Sequence, residues 1–221
     1  MAHKESNMTK VLILYYSAGG HTEALAKAVF EGADSTGAEV TLKRVPDLAG
    51  ENASEHRHTD TEEATPDELV EYDAIIIGSP TRFGRLCAQV ANFLDQTTRL
   101  WKEGKLIGKV GGAFTCTASQ HGGSESTIFS ILTSMMHHGF IIVGLPYSYE
   151  GLLEMKEVAG GSPYGATSVT GSDGSRYPSE NELDGARYQG AHIAKVAHAL
   201  TSGKAFLNLL DNGKVRPDDD I

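Results

Sequence analysis

Residues 11–29 read VLILYYSAGGHTEALAKAV, and the change of character inside them decides the fold. Val11 to Tyr16 are apolar or aromatic without a break, the pattern of a strand buried on both faces. Ser17, Ala18, Gly19, Gly20, His21 and Thr22 follow, and then a run of helix formers to about Asp34. A buried strand that breaks into small and hydroxyl residues at the mouth of a helix is built to hold a ligand there, or is a plain turn with a hydroxyl cap.

Outward from that stretch the same alternation repeats. Val40–Val45 alternates like a strand nearer an edge, and residues 46–64 are polar, acidic and irregular, an insertion or loop. Thr65-Pro66-Asp67-Glu68 reads as a capping box with proline at the first helical position. Strands are expected at Ala74–Gly78, Val110–Phe114 and Phe140–Val143, and helices at Leu86–Thr97 and Ser124–His138, the latter stopped by Gly139. Ser179 and Glu182 form a second capping box, opening a last helix to about Leu200. Five apolar strands separated by helices imply a parallel sheet covered on both faces. In such a sheet ligands sit at the carboxyl ends of the strands, which directs attention to loops 17–22, 79–85, 115–123 and 144–180.

Bulk properties narrow the function. The 221 residues suit one α/β domain, 40% of them are hydrophobic, and no run is long enough to span a membrane. The start MAHKESNMTK lacks an apolar signal region, and Cys87 and Cys116 are too few for a disulfide framework, so a cytoplasmic protein is expected. A net charge of −10 disfavours nucleic acid as a partner. The same charge leaves room for an anionic small molecule held by backbone N–H groups. The end DNGKVRPDDDI reads as a solvated tail.

The first loop matches neither a dinucleotide fingerprint nor a Walker loop. Ser17 and Thr22 offer hydroxyls, Gly19 and Gly20 allow close backbone approach, and the absence of Lys and Arg points to a phosphate monoester. In the second loop, Pro80 stiffens the turn while Thr81, Arg82 and Phe83 suit a planar heteroaromatic ligand. Taken singly, Arg82 reads equally as a surface ion-pair residue and Phe83 as core. The third loop, FTCTASQHGGSEST, adds hydroxyls and Gly122-Gly123 beside the fourth strand. The His-rich stretch EHRHTDTEE, residues 55–63, lacks tight ligand spacing and reads as solvated loop, so no metal site is expected.

The motifs YYSAGGHTEALAKAV, YDAIIIGSPTRFG, NFLDQT, FTCTASQHGGSEST, HHGFIIVGLPY, GGSPYGA and RYQG resemble those of the WrbA family, flavodoxin-like NAD(P)H:quinone oxidoreductases that bind FMN. The resemblance spans residue 11 to about 200. It implies a flavodoxin-like doubly wound sheet of strand order 2-1-3-4-5, occupying residues 10–202 between an N-terminal extension (1–9) and a C-terminal tail (203–221). It implies that Ser17, Ala18, Gly19, Gly20, His21 and Thr22 cradle the FMN phosphate. Pro80, Thr81, Arg82, Phe83 and Gly84 would line the isoalloxazine. Thr115, Cys116, Thr117, Ala118, Ser119, Gln120 and His121 would follow the ribityl chain and ring. His137 matches a family histidine at the flavin, and Trp101 an aromatic at the quinone site. Gly19 stands where members often carry Tyr at the nicotinamide contact, and Cys116 where Ser is usual. No side chain is assigned a catalytic role, because the flavin carries the chemistry. The expected partners are NADH or NADPH and a quinone, and the expected assembly is a homotetramer to which 46–64 and 144–180 contribute.

Three rivals compete with this expectation. A one-electron flavodoxin-type carrier would use the acidic charge to dock on a basic reductase, but the Trp101 segment and the long fifth loop speak against an exposed flavin edge. A receiver-type signalling domain needs an acceptor Asp at the end of the third strand, where Gly78-Ser79-Pro80 stands. A transcription co-regulator lacks a basic reading helix.

Overall fold

A computed structural model describes residues 8–50 and 61–203. Strand β1 (Lys10–Tyr15) lies between β2 (Glu39–Arg44) and β3 (Ala74–Pro80), and β4 (Val110–Thr117) follows β3. All of these pairs are parallel, and β5 (Ile141–Ile142) completes the order 2-1-3-4-5. The fold is the flavodoxin-like one expected.

Alternation within β1 sorts the core into two layers. Leu12 and Leu14 face α2 (Ala88–Asp95) and α4 (Ser124–His137). Val11, Ile13 and Tyr15 face α1 (His21–Asp34) and α5 (Glu180–Ser202). α1 and α5 cross so closely that a methyl group on Gly32 would lie 1.8 Å from the Arg187 carbonyl oxygen, and one on Gly190 2.0 Å from that of Val29. Only glycine permits that approach at either position.

Three elements differ from the pattern read in the sequence. The expected helix at 86–97 is shorter, because Cys87 is extended, with its N–H given to Ser79 Oγ, and the helix starts at Ala88. After α2 a separate turn of helix, α3 (Thr98–Lys102), carries Trp101. The capping box at Thr65–Glu68 forms, yet it opens a six-residue 3-10 helix, Pro66–Glu71.

A further difference, in the fifth strand, shapes the site. The fifth strand pairs only with Val110 and Gly111, after which the chain leaves the sheet at Val143. It returns as β6 (Thr167–Val169), parallel to Thr115–Thr117 further along β4. Gln189 of α5, fully buried, mends the gap: its Oε1 accepts from Ala166 N–H at 2.8 Å and its Nε2 donates to the Ala113 carbonyl at 3.0 Å. A three-residue strand too short to show periodicity is thereby seated. The excursion delivers the chain after β6 to the carboxyl end of the sheet.

Candidate active site

At that end lies a cleft of about 360 Å³, a small-molecule volume. Its lining comes from four loops: Ser17, Ala18, Gly19, His21 and Thr22 after β1, Pro80, Thr81 and Arg82 at the end of β3, Cys116, Thr117 and Ala118 at the end of β4, and Thr170–Gly174 after β6. The first three groups coincide with residues singled out in the sequence. The fourth was visible there only as part of the broad 144–180 loop, because the strand that launches it leaves no pattern.

The first loop is shaped by Gly20, which sits at φ 86° immediately before α1 and gives its N–H to Ser17 Oγ at 3.0 Å. No side chain caps the helix, so the positive end of its dipole opens on the cleft. Thr22 is almost fully buried, and its Oγ1 lies 3.1 Å from Cys116 Sγ. Burial pushes the Cys116 thiol up to about 11, so sulfur keeps its hydrogen at neutral pH. The His21 ring reaches the Gly174 carbonyl with Nε2 at 3.0 Å and lies 5.0 Å, centroid to centroid, from Tyr177. A carbonyl only accepts, so Nε2 of His21 carries a hydrogen in this contact.

At the second loop, Thr81 N–H donates to the Cys116 carbonyl, and its hydroxyl is bracketed by Thr115 at 3.3 Å and Thr127 at 3.2 Å. Arg82 and Arg85 exchange backbone hydrogen bonds around Phe83 (φ 54°) and Gly84 (φ 74°), a two-residue turn with both central residues left-handed. Phe83 is the sole non-glycine residue with positive φ among the described residues, and its side chain is 100% exposed. The turn therefore holds a large ring in solvent at a backbone strain of about 1 kcal/mol or more. Gly84 packs against Gly123, where a methyl group would lie 2.8 Å from the Gly84 Cα.

Not every candidate meets the cleft. Thr115 is fully buried and gives its hydroxyl to the Ser79 carbonyl at 2.6 Å. Ser119, Gln120 and His121 are exposed on the turn beyond Thr117, whose hydroxyl donates to the Ser119 carbonyl. His137 and Trp101 lie elsewhere. α4 begins beside the cleft, at Ser124 near Thr117, and His137 is its last residue, roughly 20 Å away along 14 residues of helix. Trp101, half exposed, shares that far end, where His138 Nε2 meets Thr97 Oγ1 at 2.8 Å. Of residues 55–63 only 61–63 are described, and the described residues contain no cluster of three metal-ligating side chains. No described helix is long and apolar enough to cross a membrane.

Comparisons with known proteins accord with the fold. The profile of the family described as NADPH-dependent FMN reductase matches residues 9–149. A protein of Rhodopseudomonas palustris strain BisB18 named NAD(P)H dehydrogenase (quinone) is 59% identical over 197 residues, covering 87% of this chain and 99% of its own length. One of the same name from Bradyrhizobium sp. strain BTAi1 is 58% identical with the same coverage. Among solved structures, a flavodoxin-type, WrbA-like protein from Agrobacterium tumefaciens superposes with a TM-score of 0.61 at 28% identity, over 86% of this chain and 98% of that one.

Proposed function

The chain belongs to the NADPH-dependent FMN reductase family, in its NAD(P)H dehydrogenase (quinone) group of WrbA type, and from that premise we propose that it binds FMN and reduces quinones at the expense of NADH or NADPH. The observation that carries the FMN reading is the uncapped start of α1 behind left-handed Gly20, opening on a cleft in which Arg82 is the one Lys or Arg among the described lining residues. Backbone N–H groups and hydroxyls at a helix start suit a terminal phosphate, and no dinucleotide fingerprint is present. When bound, FMN would supply the hydride and two-electron chemistry that links nicotinamide oxidation to quinone reduction.

The chain's own residues hold and orient. Ser17 shapes the phosphate loop by accepting the Gly20 N–H, and Thr22 donates from the floor. Thr81 and Arg82 stand where the ring's polar edge would lie, and Phe83 projects beyond them. The backbone of Cys116, Thr117 and Ala118 lines the side where the ribityl chain would run. Residues 10–202 form the functional unit, in the cytoplasm. His137 and Trp101 are too far from their own cleft to act there, so each would serve a neighbouring subunit's cleft in a homotetramer, with Trp101 walling the space above the flavin. A one-electron carrier would have no use for such a wall.

The deciding experiment is purification, mass analysis of the released cofactor, and an assay of benzoquinone-dependent NAD(P)H oxidation. FMN with rapid quinone reduction is the expected result. FAD, or no flavin after reconstitution with FMN, overturns the phosphate site, and flavin without quinone turnover favours the carrier.

A further inference from the structure

Glu182 is the third residue of α5, and its carboxylate is completely buried. A capping box asks one thing of it, to accept the Ser179 N–H, which it does at 2.7 Å. It does four more. Its oxygens accept from Gly160 N–H at 2.7 Å, Val169 N–H at 3.0 Å, Ser168 Oγ at 3.1 Å and Arg176 Nη1 at 2.9 Å. Arg176 in turn gives its backbone N–H to the Thr170 carbonyl at 3.0 Å, Nη1 to the Val169 carbonyl, and Nη2 to the Val158 carbonyl at 2.6 Å.

The two ends of one loop are thus tied to a single carboxylate: Val169 enters it and Arg176 leaves it. Between them Thr170–Gly174 form the fourth wall of the cleft, and the Gly174 carbonyl receives His21 Nε2 from the first residue of α1. We propose that Glu182, acting through Arg176, is a positioning residue that holds the 170–174 wall against the phosphate end of the flavin site. The inference rests on the FMN reading of the cleft. Its physical content is pre-organisation: a loop already fixed where the ligand needs it loses no freedom on binding.

The test titrates the apoprotein with FMN and with riboflavin, which lacks the phosphate, following flavin fluorescence, for the parent, Glu182→Gln and Arg176→Met. Arg176 is partly exposed (29%), so Arg176→Met decides the matter should Glu182→Gln fail to fold. The expected result is an FMN Kd raised by about tenfold or more, equivalent to 1.4 kcal/mol, with riboflavin binding little changed. A merely structural role lowers the melting temperature without altering the FMN-to-riboflavin ratio, and that outcome overturns the proposal. Equal losses for both flavins overturn it as well, since the wall would not then sit at the phosphate. A parent that binds neither flavin brings down the reading of the cleft itself, and the proposal with it.

Discussion

Thr22 and Cys116 share one hydrogen bond on the floor of the cleft, and only one of its two directions leaves a donor for an anion. With the thiol protonated, S–H can donate to Thr22 Oγ1, which frees the threonine hydrogen to point at a phosphate oxygen. Thr22→Val removes both halves of that arrangement. FMN binding to the apoprotein, measured by calorimetry, should weaken by roughly 1–3 kcal/mol, the loss usual when a charged acceptor forfeits a donor. An unchanged affinity would place the phosphate elsewhere. The buried thiol also makes a pH prediction. Burial raises Cys116 from its ordinary 9.0 to about 11, so between those values the folded protein keeps a proton that the unfolded chain has released. Stability is therefore whole below about pH 9 and falls as pH climbs toward 11, by up to roughly 2–3 kcal/mol. Burial raises Cys87 too, which adds a loss of the same sign. Urea unfolding of Cys116→Ser should show a shallower alkaline decline than the parent, and parallel declines would refute the assignment. These residues were legible as candidates in the sequence, since hydroxyls and glycines cluster where a strand meets a helix. The bond between them was not, because 94 positions separate them.

Among the elements, the split fifth strand matters most to the cleft. Where an unbroken strand was read at 140–143, the sheet instead takes two short pieces with Gln189 bridging the interval. The second piece launches the 170–174 loop, which brings a carboxylate to the lip of the proposed phosphate site. Asp173 Oδ1 accepts the Ser175 N–H at 3.1 Å and hydroxyl at 2.8 Å, and those bonds hold its carboxyl below the usual range, hence ionised at neutral pH. Asparagine keeps the Oδ1 acceptor and so keeps the turn, but discards the charge. Asp173→Asn is accordingly expected to tighten FMN, by a larger factor at low ionic strength than at high. A gain cannot be ascribed to damaged folding. If the affinity of Asp173→Asn equals the parent's at every salt concentration, the loop does not face the phosphate.

At the scale of the whole molecule, the decisive fact is that the two ends of the sheet carry different chemistry. The cleft lies at the carboxyl ends of the strands, while Trp101 and His137 stand at the opposite edge. Trp101 lies in RLWKEGKL, too polar to be core throughout, and its ring is half exposed. In the proposed tetramer it stacks on a quinone in a neighbour's cleft. Trp101→Ala should then raise the quinone KM by roughly tenfold while FMN stays bound. Turnover with ferricyanide, a small acceptor with no ring to stack, should change less. If quinone kinetics are untouched, or if the protein is a fully active monomer by light scattering, the cleft is closed by its own chain.

What the sequence determined by itself was whatever depends on neighbours along the chain. Buried strands announce themselves as unbroken apolar runs, and the capping boxes at Thr65 and Ser179 need only residues three apart. The alternation of strands and helices and the three loops after β1, β3 and β4 follow from those local signals, while the order of the strands came from the family resemblance. Tertiary structure alone decided the rest. Glu182 gathers donors from Gly160, Ser168, Val169 and Arg176, and Gln189 joins Ala113 to Ala166. It is the course of helix α4 that sets His137 apart from the cleft. Each of these is a pairing of polar groups, or a direction in space, between residues that no periodicity connects, and burial sets it only after the sheet has closed.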